Sequence, residues 1–460
     1  MQNKTSGVRC GPVSTRRRPL TGVAGASRRA PIFLRGALWT LALTQALLPV
    51  AQARESVATA PAAAVVATAP GPAIAIGGAL RDDNAVVWSR MIELAGGPGA
   101  RFVVLATASG DPDAAARGTI AALTAHGAVG EYLRVAPELK GVDNAEAVRD
   151  TALIAKVRAA NGVFFTGGDQ GRIVDTLRPG GVESPLLLAI RERQPRGGGV
   201  AGTSAGAAIM SRTMFRDPGS VLTLMKGPLR PGKDFDSGLG FAQSDLFVDQ
   251  HFLSRGRLGR MLVLMQAGGM KLGLGVEEDS AAVLRGDQVE VLGEGGALLV
   301  DLADATTDPT LGVFNIANAR LTYLGHGDRY DLRTRALSPA KAKLEGQLID
   351  PRAADFKPYN EDAPYALDVL AAGVVLQSMI RIVDGKPTES RGLAFDAGPE
   401  ATAPRNLGFE FRFSRRADTL GWYDPVASAD AYTLASLRLD VVPVRVAQPL
   451  FGPWRTMHDR

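Results

Sequence analysis

"GGVAGTSAGAAIM", residues 198–210, joins a short apolar run to a run of small, helix-compatible residues, with Ser204 set between Gly202 and Gly206. An apolar segment of strand length that ends in glycine and passes at once into a helix is the building block of an α/β fold. A serine at such a bend has two readings. It is a turn residue, or it is a nucleophile that small neighbours leave open to a substrate carbonyl. G-x-S-x-G is a weak pattern in a chain with 53 glycines among 460 residues, so the residues alone leave both readings open.

The same building block recurs on either side. "PAIAIGGAL" (72–80), "RFVVLATAS" (101–109), "VGEYLRV" (129–135) and "GVFFTGGDQ" (162–170) read as strands, and "DLFVDQHF" (245–252) and "LGLGVEEDSAAVL" (272–284) continue the series. Helix patterns fall between them near 86–97, over 111–127 with Asp111 as N-cap, from Asn144 to about Ala160, and over "AGAAIMSRTMF" (205–215). This alternation predicts an α/β fold with a mainly parallel sheet flanked by helices on both faces. Ligands in such folds bind outside the carboxyl ends of the strands, so the glycine-ended termini are where chemistry is expected.

After 281 the pattern changes. "AAVLRGDQVEVLGEGGALLVDL" (281–302) reads as a hairpin or meander, and "GVFNIANARLTYLGHGDRYDL" (312–332) as further strands. Residues 336–460 read as an additional C-terminal α+β region, with a helical stretch over 364–385 and alternating segments such as "FEFRF" (409–413) and "SLRLDVVPVRV" (436–446).

The formal net charge of +5 belongs to the first residues. Eight of the 52 basic residues lie in 1–53, which hold no acid; the rest of the chain carries 44 basic against 47 acidic residues. A nucleic-acid partner, which calls for a basic domain, is therefore not expected. The arginine-bearing start, the apolar stretch "GALWTLALTQALLPV" (36–50) and Ala51-Gln52-Ala53 have the layout of an export signal with a small-x-small cleavage site. The expectation is an exported protein, periplasmic or extracellular, with no stable membrane anchor once 1–53 is removed, because the apolar run is shorter than the roughly 20 residues that span a bilayer. An Ala/Pro-rich linker over 54–71 and a catalytic unit over 72–335 complete the expected organisation, with 336–460 as an accessory region. The only cysteine is Cys10, so no disulfide, thiolate metal site or cysteine nucleophile is expected beyond the leader.

If Ser204 is a nucleophile it needs a base, and there are four histidines. His126 ends a helix before a glycine, His326 sits in a turn-like "LGHGDRY", and His458 is near the chain end. His251 follows the apolar strand "DLFV", which places it at a strand's carboxyl end, as Ser204 is. The acid that orients the base is sought in "GVEED", where alternation puts Val276 and Glu278 on one face and Glu277 on the other without saying which faces His251. The chain order Ser, His, acid differs from that of the α/β-hydrolases. No metal or cofactor is expected: the histidines have no metal-ligand spacing, and "AIGGAL" lacks the G-x-G-x-x-G of a dinucleotide site.

Taken together and in this order, "FFTGGDQ", "GTSAGA", "DQHFLSRGRLGR" and "GLGVEED" resemble the cyanophycinases, within the serine peptidase family that also contains aspartyl dipeptidase (peptidase E). The resemblance covers about residues 72–335 and implies a class I glutamine amidotransferase-like fold. It implies Ser204 as nucleophile, His251 as base and Glu278 as acid, although the family's D-E-N run is Glu277-Glu278-Asp279 here. It implies an oxyanion hole drawn from Ala205, Gly168 and Asp169. Gln170, Asp249, Gln250, Arg255, Arg257 and Arg260 match positions that bind substrate or shape the site; the three arginines read as lying on the exposed first turns of a helix. The implied substrate is cyanophycin, poly-aspartate with arginine on each β-carboxyl, released as β-Asp-Arg dipeptides, and the implied assembly is a homodimer. Two other readings stand beside it: a secreted aspartyl peptidase acting on short peptides, and a non-catalytic binding module on the same fold.

Overall fold

The computed structural model describes residues 71–242, 245–398, 401–425 and 432–447. The expected export signal over 1–53, the linker up to residue 70 and His458 lie outside the described residues.

Five short apolar runs become parallel strands: β1 (Ala73–Ile76), β2 (Arg101–Leu105), β3 (Val129–Leu133), β4 (Gly162–Phe165) and β5 (Gly199–Thr203). They lie in the order β1-β5-β4-β2-β3, every neighbouring pair parallel. Such an order requires crossovers, and helices supply them: α1 (Ala85–Leu94), α2 (Pro112–Ala125), α3 (Asn144–Ala147), α4 (Thr151–Ala159), α5 (Gln170–Leu177) and α6 (Pro185–Arg193). The central strands are buried on both faces, which is why they read as unbroken apolar runs. Alternate side chains feed two cores. Ala73, Ala75, Val103 and Leu105 enter one, and Ile74, Ile76, Phe102 and Val104 the other.

The helix expected from Asn144 to Ala160 is two helices. Asp150 turns its carboxylate onto the Ala152 and Leu153 amides at 2.7 and 3.3 Å, starting a new helix where the first one ends. The helix expected over 205–215 is also cut short. One turn, α7 (Ala205–Ala208), is followed by β6 (Thr213–Phe215), which pairs with β7 (Phe235–Ser237); the short helix α8 (Val221–Lys226) lies between them. Ser211 favours the break, because its hydroxyl donates to Thr213 O at 2.8 Å instead of continuing a helix.

A second sheet begins with β8 (Leu246–Gln250) and, beyond α9 (Leu258–Ala267), β9 (Leu272–Val276), which run parallel to each other. The expected meander over 281–302 divides between the sheets. β10 (Ser280–Arg285) and β11 (Gln288–Gly293) form an antiparallel hairpin beside β1, whereas β12 (Ala297–Asp301) crosses to pair with β9. β13 (Ile316–Leu324) extends the second sheet; β14 (Arg329–Asp331) and β15 (Ala336–Ser338) extend the first to nine strands.

The C-terminal region is α+β, as the sequence implies. It contains α10 (Lys341–Glu345), β16 (Gln347–Ile349), α11 (Val374–Val383), β17 (Glu389–Ala394) and two long strands, β18 (Leu407–Tyr423) and β19 (Tyr432–Arg445). β19 pairs with β13, so the order of the second sheet is β16-β18-β19-β13-β12-β9-β8. The helix over 364–385 forms only from Val374, after Gly373 at φ +75.

Candidate active site

Ser204 follows the last residue of β5 at φ 54, ψ −111, a conformation rare for a residue with a side chain. Its N–H donates to Ile76 O at 3.0 Å, and its carbonyl accepts from Ala207 and Ala208 at 2.9 and 3.1 Å, so strand turns into helix with no intervening loop. The two flanking glycines make the bend sterically possible. A Cβ on Gly202 would lie 2.2 Å from Gly206 O, and one on Gly206 would lie 2.5 Å from Phe165 O.

His251 reaches the serine from the other sheet. It is the residue after β8, at φ 47, and its N–H donates to Gly77 O at 2.7 Å, tying the end of β8 to the end of β1. Its ring fills the space a side chain at Gly78 would need: a Cβ there would lie 2.1 Å from His251 Cε1. Nε2 lies 2.8 Å from Ser204 Oγ, and Nδ1 lies 2.5 Å from Glu278 Oε1. A carboxylate only accepts, so Nδ1 carries the proton and donates it to Glu278. In the neutral ring Nε2 is then the acceptor for the Ser204 hydroxyl. Burial, opposed by the Glu278 hydrogen bond and reinforced by the charges of Arg255 and Arg257, holds His251 below its ordinary pKa. A neutral imidazole bonded in this way can take a hydroxyl proton, which is the requirement for an alkoxide-like nucleophile.

The three acids that sequence alternation leaves open do three different things. Glu278 meets His251. Glu277 turns the other way, accepting from the Leu253 and Ser254 amides and from the Glu278 amide at 2.8 Å. Asp279 holds the loop after β1, accepting from the Arg81 amide at 3.0 Å and from Asn84 Nδ2 at 2.9 Å. Of the three amides named for an oxyanion hole, that of Asp169 is committed, donating to Ala108 O at 2.9 Å, while the Asp169 carboxylate caps α5 through Gly171 N at 2.7 Å. Those of Gly168 and Ala205 remain for the role. The loop before α5 lies against the serine, since a Cβ on Gly167 would stand 3.2 Å from Ser204 Cβ.

The remaining residues make contacts of their own, and of these Arg255 and Arg257 act on His251 through their charges. Asp249 and Arg260 form a buried two-point ion pair, with contacts of 2.8 and 2.5 Å, and Arg260 stacks over the Phe215 ring at 4.4 Å. Arg257 Nη1 donates to both Gln250 O and Gln250 Oε1, at 2.7 and 2.8 Å. Gln170 Nε2 donates to Phe215 O and Arg216 O at 2.9 and 2.7 Å. The expectation that all three arginines sit on exposed helical turns is corrected: Arg255 and Arg257 precede α9, and Arg260, inside it, is buried. Only Arg255 is open, its side chain 54% exposed and its Nε 3.8 Å from Glu278 Oε1. His126 caps α2, contacts Asp82 O at 2.8 Å and stacks on Trp88; His326 lies in the turn between β13 and β14. Gly78 was not legible as a site residue, although the Gly77-Gly78 pair at the carboxyl end of β1 was a visible signal of close approach; Glu277, a candidate for the acid, instead holds the turn after His251.

The pattern of peptidase family S51 matches residues 74–292. A cyanophycinase of Trichormus variabilis is 35% identical over 230 residues, spanning 47% of this chain and 74% of that protein. A cyanophycinase of Synechococcus elongatus is 34% identical over 272 residues, spanning 57% and 79%. The crystal structure of a peptidase from an acI-B1 Actinobacterium aligns with 50% of this chain and 89% of its own at 21% identity and a TM-score of 0.39. On its matched residues and its relatives, the chain belongs to peptidase family S51 and is a serine-type peptidase.

Proposed function

We propose that this peptidase hydrolyses cyanophycin to β-Asp-Arg dipeptides through a Ser204-His251-Glu278 triad. The observation that carries the reading is the hydrogen-bonded chain from Ser204 Oγ through His251 to Glu278, in a chain about one-third identical to cyanophycinases. His251 takes the Ser204 proton as Oγ attacks an aspartyl backbone carbonyl. The Gly168 and Ala205 amides receive the oxyanion, and a covalent acyl-enzyme forms as His251 returns the proton to the leaving amine. A water activated by His251 then releases the product and restores Ser204. Arg255, exposed at the edge of the centre, is the cation available to pair with a carboxylate of the substrate.

The reading includes export, supported by the layout of residues 1–53, and a homodimer, supported by the family resemblance. Fractionation of a bacterial host expressing the full chain tests the first, with cleavage after Ala53 as the expected result; light scattering of the purified protein tests the second. The substrate is tested by comparing kcat/KM for cyanophycin with that for short α- and β-aspartyl peptides. Preference for the polymer is expected, and turnover restricted to short peptides would replace this reading with that of an aspartyl peptidase.

A further inference from the structure

We propose that the segment Leu370–Gly373, in the C-terminal region, is a positioning element for the active site, holding the turn Phe252–Arg257 in place and with it the His251 ring and the Arg255 guanidinium. The inference rests on the triad reading above and adds a role for residues that the family pattern, ending at 292, does not cover.

The turn leaves β8 directly after His251 and closes on itself, with Arg255 N donating to His251 O at 3.2 Å, Gly256 N to Leu253 O at 3.3 Å and Arg257 N to Phe252 O at 2.9 Å. From one side the Glu277 carboxylate gathers the Leu253 and Ser254 amides. From another the C-terminal region presses directly on the backbone. Gly256 sits at φ +59, and a Cβ there would lie 1.9 Å from Leu370 O and 3.0 Å from Leu370 Cβ. The Gly373 amide donates to Leu253 O at 3.3 Å. Phe252 and Leu253 are buried in one core with Val369, Val375 and Met379, so turn and segment share their packing. Dense packing transmits displacement, and a misplacement of about 1 Å in a catalytic group costs on the order of 10²-fold in rate. Arg255, between Ser254 and Gly256, moves wherever the turn moves.

The test uses the full chain and three variants. Gly256→Ala drives a methyl into Leu370 O. Leu370→Gly loosens the pressing segment and leaves the turn's own sequence intact. Gly269→Ala is the control: its φ is +65, with nothing within 4 Å of a built Cβ, so it carries similar backbone strain without the contact. The rate at which a fluorophosphonate labels Ser204, followed against pH, reads the site without reference to any natural substrate. Amide hydrogen exchange reads the turn and the segment.

The expected result is labelling at least tenfold slower in Gly256→Ala and measurably slower in Leu370→Gly, with Gly269→Ala at the wild-type rate. The labelling midpoint in Gly256→Ala moves to higher pH, because withdrawal of the Arg255 charge eases protonation of His251; Glu278 and Arg257 are the other charged groups acting on that ring. Exchange over 252–257 and 370–374 rises together. Folded Gly256→Ala and Leu370→Gly proteins with wild-type labelling and an unmoved midpoint overturn the proposal, as does exchange that rises in the turn alone. Wild-type protein that is not labelled at all would instead overturn the triad reading, and the exchange data would still decide whether turn and segment are coupled.

Discussion

Ser204 is held at φ 54, and a non-glycine residue in such a region costs about 1–3 kcal/mol. Strain and reactivity can therefore be separated by substitution. Ser204→Ala is expected to abolish hydrolysis with stability unchanged. Ser204→Gly is expected to abolish it too while being more stable than Ser204→Ala by about 1 kcal/mol in chemical denaturation; a Ser204→Gly protein less stable than Ser204→Ala would show that the bend carries no strain. His251 gives a pH test. In the proposed mechanism its neutral form is the base, and burial lowers its pKa, so kcat/KM should persist as pH falls through about 6.5 and be lost only below it. Glu278→Gln removes a group that raises this pKa. It should lower kcat by roughly 10²–10⁴-fold and move the acid limb further down. At this scale the sequence was informative where few residues could do the job. Four histidines and a strand-end rule isolate His251, whereas nothing local separates Glu277, Glu278 and Asp279. Their assignments depend on the Leu253 and Ser254 amides, Arg81 and Asn84, all distant in the chain from the acids they meet.

Among elements, β8 and α9 are joined by the buried Asp249–Arg260 pair. Removing one partner leaves a buried charge unmatched, and Asp249→Ala or Arg260→Met is expected to cost about 3–5 kcal/mol in chemical denaturation. Arg255→Met, at an exposed position, should change stability by less than about 0.5 kcal/mol while raising KM for the substrate. A comparable loss of stability in both would remove the distinction drawn between these arginines. The apolar strands β1, β2, β4 and β5 were legible because burial on both faces leaves an unbroken apolar pattern. Helix ends were less so. The run from Asn144 to Ala160 looks continuous until Asp150 is recognised as a cap, and 205–215 keeps a helical composition although Ser211 and the pairing of β6 with β7 end the helix after one turn.

For the whole molecule, the alternation of strand and helix announced the parallel sheet, but no local pattern says that β12 abandons the hairpin before it or that β19 pairs with β13. Those pairings are long-range and decide that the C-terminal region completes the second sheet. Phe409, Phe411 and Phe413 lie in one core with Leu298, Val300 and Leu321. A chain ending after Ser338 should therefore lose soluble expression and cooperative melting; a soluble truncated protein melting near the full chain would contradict this.

The central claim is that Ser204 opens cyanophycin. Its most direct test is to incubate purified wild-type protein and Ser204→Ala with the polymer and follow soluble products by mass spectrometry. Release of β-Asp-Arg by the wild type alone is the result expected. No release by the wild type, or equal release by the variant, would contradict it.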